Sequence, residues 1–326
     1  MSCNRNALLA IAGILTFGGL YGQDSIAFRC QDLPDAGLIL VPPSSPDYAR
    51  LLKDIQYQIA ALPVSLRLAQ LTGEVKAPGE QPNTAILLNK SAKSIVSIEV
   101  QWRYEYASGR TMSFRSFNTT PILRDFLLPI TPASDPVQRQ RAYWYAILPG
   151  SRRYISESGI AGVNTDVRPP NGEEIWTGPL VSFGGMQRRR LPPNDTVRSV
   201  TLILDGIFFQ DGEFVGPDAA GLWESVTSEA RMRLAIAKIA SAGKANETSS
   251  DAIFEEIAEI TGPPPDTSTP GGNMHPPPKT PAEFEKDTAM RLASSIEQQR
   301  HNLGDDRVIQ LLAAAAGSPK VDFRRR

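Results

Sequence analysis

The chain of 326 residues is poor in the side chains that most enzymes rely on, with two histidines, His275 and His301, and two cysteines, Cys3 and Cys30. That scarcity excludes a histidine-based triad from the strand-rich middle of the sequence, and no histidine-bearing zinc motif or cysteine pair occurs anywhere. A P-loop, a G-x-G-x-x-G element after a strand and a G-x-S-x-G elbow are absent as well. Charge of one sign is lacking too: 34 basic and 35 acidic residues leave a net charge of -1. Bulk electrostatic attraction to nucleic acid or anionic lipid is thereby disfavoured. No cofactor, metal or nucleic-acid partner is expected.

What is present begins with a targeting signal. Arg5 and the amino terminus precede the run Ala7 to Leu20, which is apolar apart from Thr16 and Gly and carries no charge. Its length of 14 residues falls short of the roughly 20 needed to span a bilayer, which favours a cleaved leader over a permanent anchor. Cleavage after Gly22 and cleavage after Ala27, where Ser25 and Ala27 give a small-x-small pattern, both remain open. The expected location is the periplasm, the cell surface or the extracellular medium, with membrane attachment only if the leader is retained. Cleavage leaves Cys30 without an intramolecular partner, so no disulfide framework is available. No histidine or basic cluster adjoins Cys30, which reads as an unreactive thiol, with an intermolecular disulfide as the alternative.

The hydrophobic content of 41% is sufficient for a substantial core, while 27 prolines and 25 glycines point to many turns and an extended linker. Ser45-Pro46-Asp47 can start a helix whose apolar stripe is Leu51, Leu52, Ile55 and Ile59. From Pro63 the period shortens to two: Val64, Leu66 and Leu68 alternate with Ser65, Arg67 and Ala69. Thr84 to Asn89 is a further strand. The longest alternation places Val96, Ile98, Val100, Trp102, Tyr104 and Tyr106 on a core face and Ser97, Glu99, Gln101, Arg103 and Glu105 in water. Ser108-Gly109 then turns the chain into a returning strand, Thr111 to Phe117.

The segment Asn89-Lys90-Ser91-Ala92-Lys93-Ser94-Ile95, set between two strands with Trp102 in the second, resembles the turn between the second and third strands of immunoglobulin-like and fibronectin-type sandwiches of exported bacterial proteins. The resemblance spans about Val64 to Val215. It implies an antiparallel sandwich with Trp102 between the sheets, without the disulfide of antibody domains, and it implies no activity.

Further strands are expected at Ile122 to Leu128, Tyr143 to Leu148, Arg152 to Ser156 and Ile175 to Phe183. Val197 to Phe209 is followed by the turn Gln210-Asp211-Gly212-Glu213 into Phe214-Val215. Asp218 can cap a helix running to about Ala242 with the stripe Trp223, Val226, Ala230, Leu234 and Ala237. A shorter helix, Asp251 to Ile260, follows. Gly262 to Pro281 holds eight prolines and reads as a linker. Thr280-Pro281-Ala282-Glu283 forms a capping box ahead of Phe284, Leu292 and Ile296, and a last helix covers Asp305 to Ala316. The divisions are thus a leader at 1–27, an N-terminal segment with a helix at 28–62, an immunoglobulin-like β-sandwich at 63–217, a helical segment at 218–261, a linker at 262–281 and a helical tail at 282–326. The expected class is mainly β with flanking helices.

Candidate sites are few. Asp205, Asp211 and Glu213 crowd one hairpin where oxygen ligands can meet a cation, although Asp-Gly pairs are also what turns and bulges require. Glu173-Glu174 is a conceivable acid pair for glycoside hydrolysis. Arg188-Arg189-Arg190 and Arg324-Arg325-Arg326 read as loop and tail. In Tyr143-Trp144-Tyr145, alternation exposes either the tyrosines or the tryptophan, and exposed aromatics anchor protein partners or stack on sugars. These three residues are the expected partner contacts. The sequence therefore favours a non-enzymatic binding or assembly module of the cell envelope with another envelope protein as partner. A carbohydrate-binding module or a carboxylate-dependent glycoside hydrolase is the alternative.

Overall fold

Among the described residues the long alternating segments form strands where the period of two predicts them, but more residues are helical than extended. A computed structural model describes residues 26–60, 83–118, 146–157, 159–161, 195–263, 280–317 and 321–326, without the side chains of 114–118 and 159–161. Ten strands occur among these residues: β1 (Ala27–Gln31), β2 (Leu38–Val41), β3 (Thr84–Asn89), β4 (Ile95–Tyr106), β5 (Thr111–Asn118), β6 (Arg152–Ser156), β7 (Gly159–Ala161), β8 (Val197–Phe209), β9 (Glu213–Val215) and β10 (Arg324–Arg325). The helices are α1 (Tyr48–Ala60), α2 (Leu222–Ala245), α3 (Ser250–Thr261), α4 (Pro281–Leu303) and α5 (Asp305–Ala315). The fold is therefore mixed α and β, which corrects the expectation of a mainly β chain with helices as flanks.

The larger sheet is built on the antiparallel pair β4 and β8, with β5 on the far side of β4 across the Ser108-Gly109 turn. The other edge of β8 is shared. Its first half pairs in parallel with β1, and its end pairs with β9, which carries β10 in parallel on its outer side. The smaller sheet runs β2-β3-β6-β7, antiparallel throughout. One core receives side chains from both sheets, with Leu38, Leu87 and Ile155 meeting Trp102, Leu202 and Ile207. Trp102 is fully buried there.

Two features of β4 depart from simple alternation. Its register with β8 shifts between Ile95 and Ser97, so Ile95 joins Ile98 in the shared core. Val96 turns to the opposite face and packs on Phe208, Phe214, Leu222 and Val226. Such an inserted residue is the signature of a β-bulge, and it moves Val96 off the face assigned to it by period alone. Ser97, Glu99 and Gln101, expected in water, are also buried; only Arg103 and Glu105 of that set are exposed.

Helix α1 covers the face of the small sheet that points away from the shared core, because Ile86 and Tyr154 alternate with the core residues Ala85, Leu87 and Ile155. Tyr48, Leu51, Ile55 and Ile59 supply its buried stripe, with Leu52 half-buried at the margin. Helix α2 has two partners. Leu222 and Val226 seal the larger sheet at Phe208 and Phe214, whereas Ile236 and Ala240 join Ile253, Leu292 and Val308 in a helical core. The expected stripe of α2 is correct at Val226 and Ala237 but leaves Trp223, Ala230 and Leu234 half-buried, since no single face can serve both contacts. Helices α2 and α3 cross closely at Gly243, where a Cβ would lie 2.5 Å from Ile253 Cγ1. The capping box of α4 forms as expected, with Thr280 and Glu283 each accepting the other's backbone N–H.

Candidate strand-docking groove

The predicted contact residues Tyr143, Trp144 and Tyr145 lie outside the described residues, as do Glu173, Glu174, the Arg188 to Arg190 run, His275 and most of the proline-rich segment. His301 is exposed in the last turn of α4. The acidic hairpin and the final arginine triplet are described, and the fold brings them together.

Asp205 lies where the register of β4 and β8 shifts, opposite the Glu99 to Val100 step. It is 1% exposed, and its carboxylate accepts the backbone N–H groups of Ala219 and Ala220, both at 2.9 Å. Its own carbonyl accepts the N–H of Asp218. Asp205 thereby fixes the path from β9 into α2. The N-cap of α2 is Gly221 and not Asp218 as expected, but Asp218, with φ at 61°, reaches forward to accept the N–H of Trp223 in the first turn at 3.1 Å. Burial raises the Asp218 pKa above its ordinary value despite that bond and the nearby Arg325.

Asp211 and Glu213 turn to cations instead. Lys93 donates to both, at 2.6 Å in the case of Asp211, and Asp211 Oδ1 accepts the N–H of Glu213. Burial opposes ionisation of Asp211, but the bonds from Lys93 and the Glu213 amide, with the Lys93 charge and Arg324, outweigh it and hold the group below its usual range. The three carboxylates weighed as a cation site are thus divided, Asp205 serving backbone amides and Asp211 and Glu213 sharing Lys93, and no group of three or more metal-ligating side chains that could hold an ion occurs among the described residues.

The arginine triplet was expected as a tail; it is a strand. Arg324 and Arg325 pair in parallel with Glu213 and Phe214. The N–H of Arg324 donates to Gly212 O at 3.3 Å, and that of Arg326 to Phe214 O at 3.0 Å. Each guanidinium meets an acid: Arg324 with Asp211 at 2.8 Å, Arg325 with Asp218 at 3.4 Å and Arg326 with Glu213 at 3.6 Å. Arg325 also lies over the Phe214 ring at 5.5 Å. Just upstream, Phe323 sets its edge against Phe208 and Trp223, whose rings stack on each other at 5.9 Å. Gly212 makes room for the segment: with φ at 86°, it leaves open a position where a Cβ would lie 2.6 Å from Val321 Cγ1. The result is a groove with an aromatic floor, an acidic rim and an open strand edge, filled by residues 321–326. The bare triplet suggests solvent exposure, but the alternation of Val321, Asp322 and Phe323 before it carries a strand signal that identifies the docked segment.

Cys30 belongs to β1 and packs its half-buried side chain against the shared core. Burial, reinforced by the Asp32 charge, pushes its thiol up to about 12. At neutral pH it is a packing residue with little thiolate.

No helix among the described residues is long and apolar enough to cross a membrane. No protein-family profile matches the chain. No curated protein matches it either. Among solved structures, none matches the fold.

Proposed function

We propose that the protein is an exported, non-enzymatic binding and assembly module of the cell envelope, which recognises a protein partner by adding a strand to its larger sheet. The observation that supports this reading is the β9 edge, where backbone ladder, aromatic floor and acidic rim together receive one extended basic segment. Main-chain pairing gives such a site affinity and the flanking pockets give it selectivity. The framework is an immunoglobulin-like sandwich, antiparallel apart from the β1–β8 and β9–β10 pairs, a reading supported by the core common to both sheets and by Trp102 within it. The partner is another envelope protein, with Tyr143, Trp144 and Tyr145 as a second contact. The apolar run Ala7 to Leu20 supports export, and cleavage after Gly22 is the option that leaves β1 whole.

A labelled peptide with the sequence Val-Asp-Phe-Arg-Arg-Arg, titrated against full-length Phe323→Ala protein, tests the groove. Saturable binding that weakens at least tenfold when Asp211→Lys and Glu213→Lys are added is expected. Absence of saturable binding to the folded protein would refute strand addition at β9.

A further inference from the structure

We infer that the groove is also filled between molecules: Val321–Arg326 of one copy docks on the β9 edge of a second copy, and the chain assembles by strand exchange. This inference rests on the reading of β9 as a strand acceptor and names its occupant.

The segment and the groove match residue by residue. Phe323 meets Phe208 and Trp223, Arg324 meets Asp211, Arg325 meets Asp218 and Phe214, and Arg326 meets Glu213. The hold within one molecule is nevertheless slight. The ladder contains two paired residues, and the three arginine side chains are 46–64% exposed. Ion pairs whose arginine is that exposed contribute little. The sequence joining α5 to the segment, Gly317-Ser318-Pro319-Lys320, is composed mainly of turn-forming residues.

An emptied groove is not stable in isolation. It presents an unpaired strand edge, three aromatic rings and the Asp218 carboxylate, whose side chain is 4% exposed even with Arg325 beside it. A second copy offers the same segment with the same contacts, so the exchange loses none of them. Only the effective concentration of the tethered segment opposes it. Docking within one chain therefore dominates in dilute solution and exchange dominates in concentrated solution.

Glu213 and Arg324 are Cα partners across the seam, which places a disulfide between them within reach. Full-length Glu213→Cys and full-length Arg324→Cys are mixed at rising concentration under mild oxidation, with each incubated alone as the control for Cys30. A covalent heterodimer is expected from the mixture, increasing with concentration and suppressed by Gly212→Val in the acceptor chain. The full-length chain carrying both cysteines is expected to close internally when dilute. Internal closure with no heterodimer at any concentration would overturn exchange while leaving β9 as a strand acceptor. Absence of both products would remove the acceptor reading as well, and a heterodimer indifferent to Gly212→Val would count as random collision and overturn exchange. Sedimentation of the unmodified chain supplies a second reading, independent of the cysteine substitutions. A dimer fraction that rises with concentration and falls several-fold in Phe323→Ala is expected, and a monomer throughout would overturn the inference.

Discussion

Arginine–carboxylate pairs hold two regions of this molecule, and burial separates what they do. In the helical core, Glu229 accepts from Arg233 within α2 and from Arg291 of α4, with Glu229 and Arg233 side chains 9% and 13% exposed. At the β9 seam the arginines are 46–64% exposed and stand largely in water, while two of their acids, Glu213 and Asp218, are 13% and 4% exposed. A desolvated pair whose partner is lost leaves an uncompensated charge, whereas an exposed pair returns both groups to solvent at little cost. The helical network is therefore suited to locking α2 onto α4, and the seam to a contact that opens.

The largest effect that separates the two regions is expected from Glu229→Ala. It removes the carboxylate that Arg233 and Arg291 share in the helical core and should lower stability by about 3 kcal/mol. Urea unfolding should report that loss with little dependence on added salt. A loss below about 1 kcal/mol would put the helical pairs on the same footing as the surface ones. Asp205→Ala should follow at about 2 kcal/mol, because it removes the carboxylate that accepts the Ala219 and Ala220 amides at the junction between sheet and helix. Asp205→Asn, which keeps one acceptor oxygen, should recover part of the loss in the same unfolding assay. Gly212→Val should act on the seam alone. Its positive φ and the contact with Val321 force the segment out, for a strain of about 1 kcal/mol. Faster tryptic cleavage after Arg324 and Arg325, with unchanged unfolding of the helices, is the expected signature. Equal protection in both proteins would contradict a seam that Gly212 keeps open.

The same contrast between local and distant causes decides what the sequence makes legible. Period-two alternation and turn chemistry locate β4, β5, β8 and β9 to within a residue or so, and the capping box of Thr280 and Glu283 locates the start of α4, because these signals are local. The bulge that turns Val96 away from Trp102 has no local signature; it arises from the register with β8. Strands β1 and β2 were not anticipated, although the unbroken apolar run Leu38-Ile39-Leu40-Val41 is the pattern of a strand buried on both faces. The divided stripe of α2 follows from its serving a sheet at one end and helices at the other. The groove was legible only in its parts. The acids and the arginines stand 106 or more positions apart in the chain, and nothing in either segment points to the other. Tertiary packing also consumed the acids that the sequence offered to a cation, sending Asp205 to backbone amides and Asp211 and Glu213 to Lys93.

Acid should give the smallest effect, and its sign differs between the whole fold and the seam. Asp211 is depressed below 3.8, so its contribution to stability is complete above that value and is lost as pH falls from 3.8 through its folded-state pKa. Asp218 is raised above 3.8 by burial, so its ionisation costs stability as pH rises through 3.8 towards its folded-state value. The two contributions act on opposite sides of 3.8: as pH falls, protonation of Asp218 adds stability above that value and protonation of Asp211 removes it below. Attachment of residues 321–326 behaves differently, because Arg324 lowers the pKa of Asp211 and Arg325 lowers that of Asp218. Protonating either acid therefore weakens the seam. Trp223 fluorescence, followed from neutral pH down through 3.8, should register release of Phe323 before the helices unfold. Added salt should advance that release towards higher pH, since exposed pairs are screened. Asp211→Asn should already be loosened at neutral pH and should show a shallower acid transition. An acid profile identical to that of the unmodified chain would mean that Phe323 alone holds the segment and that the arginines contribute nothing to the seam.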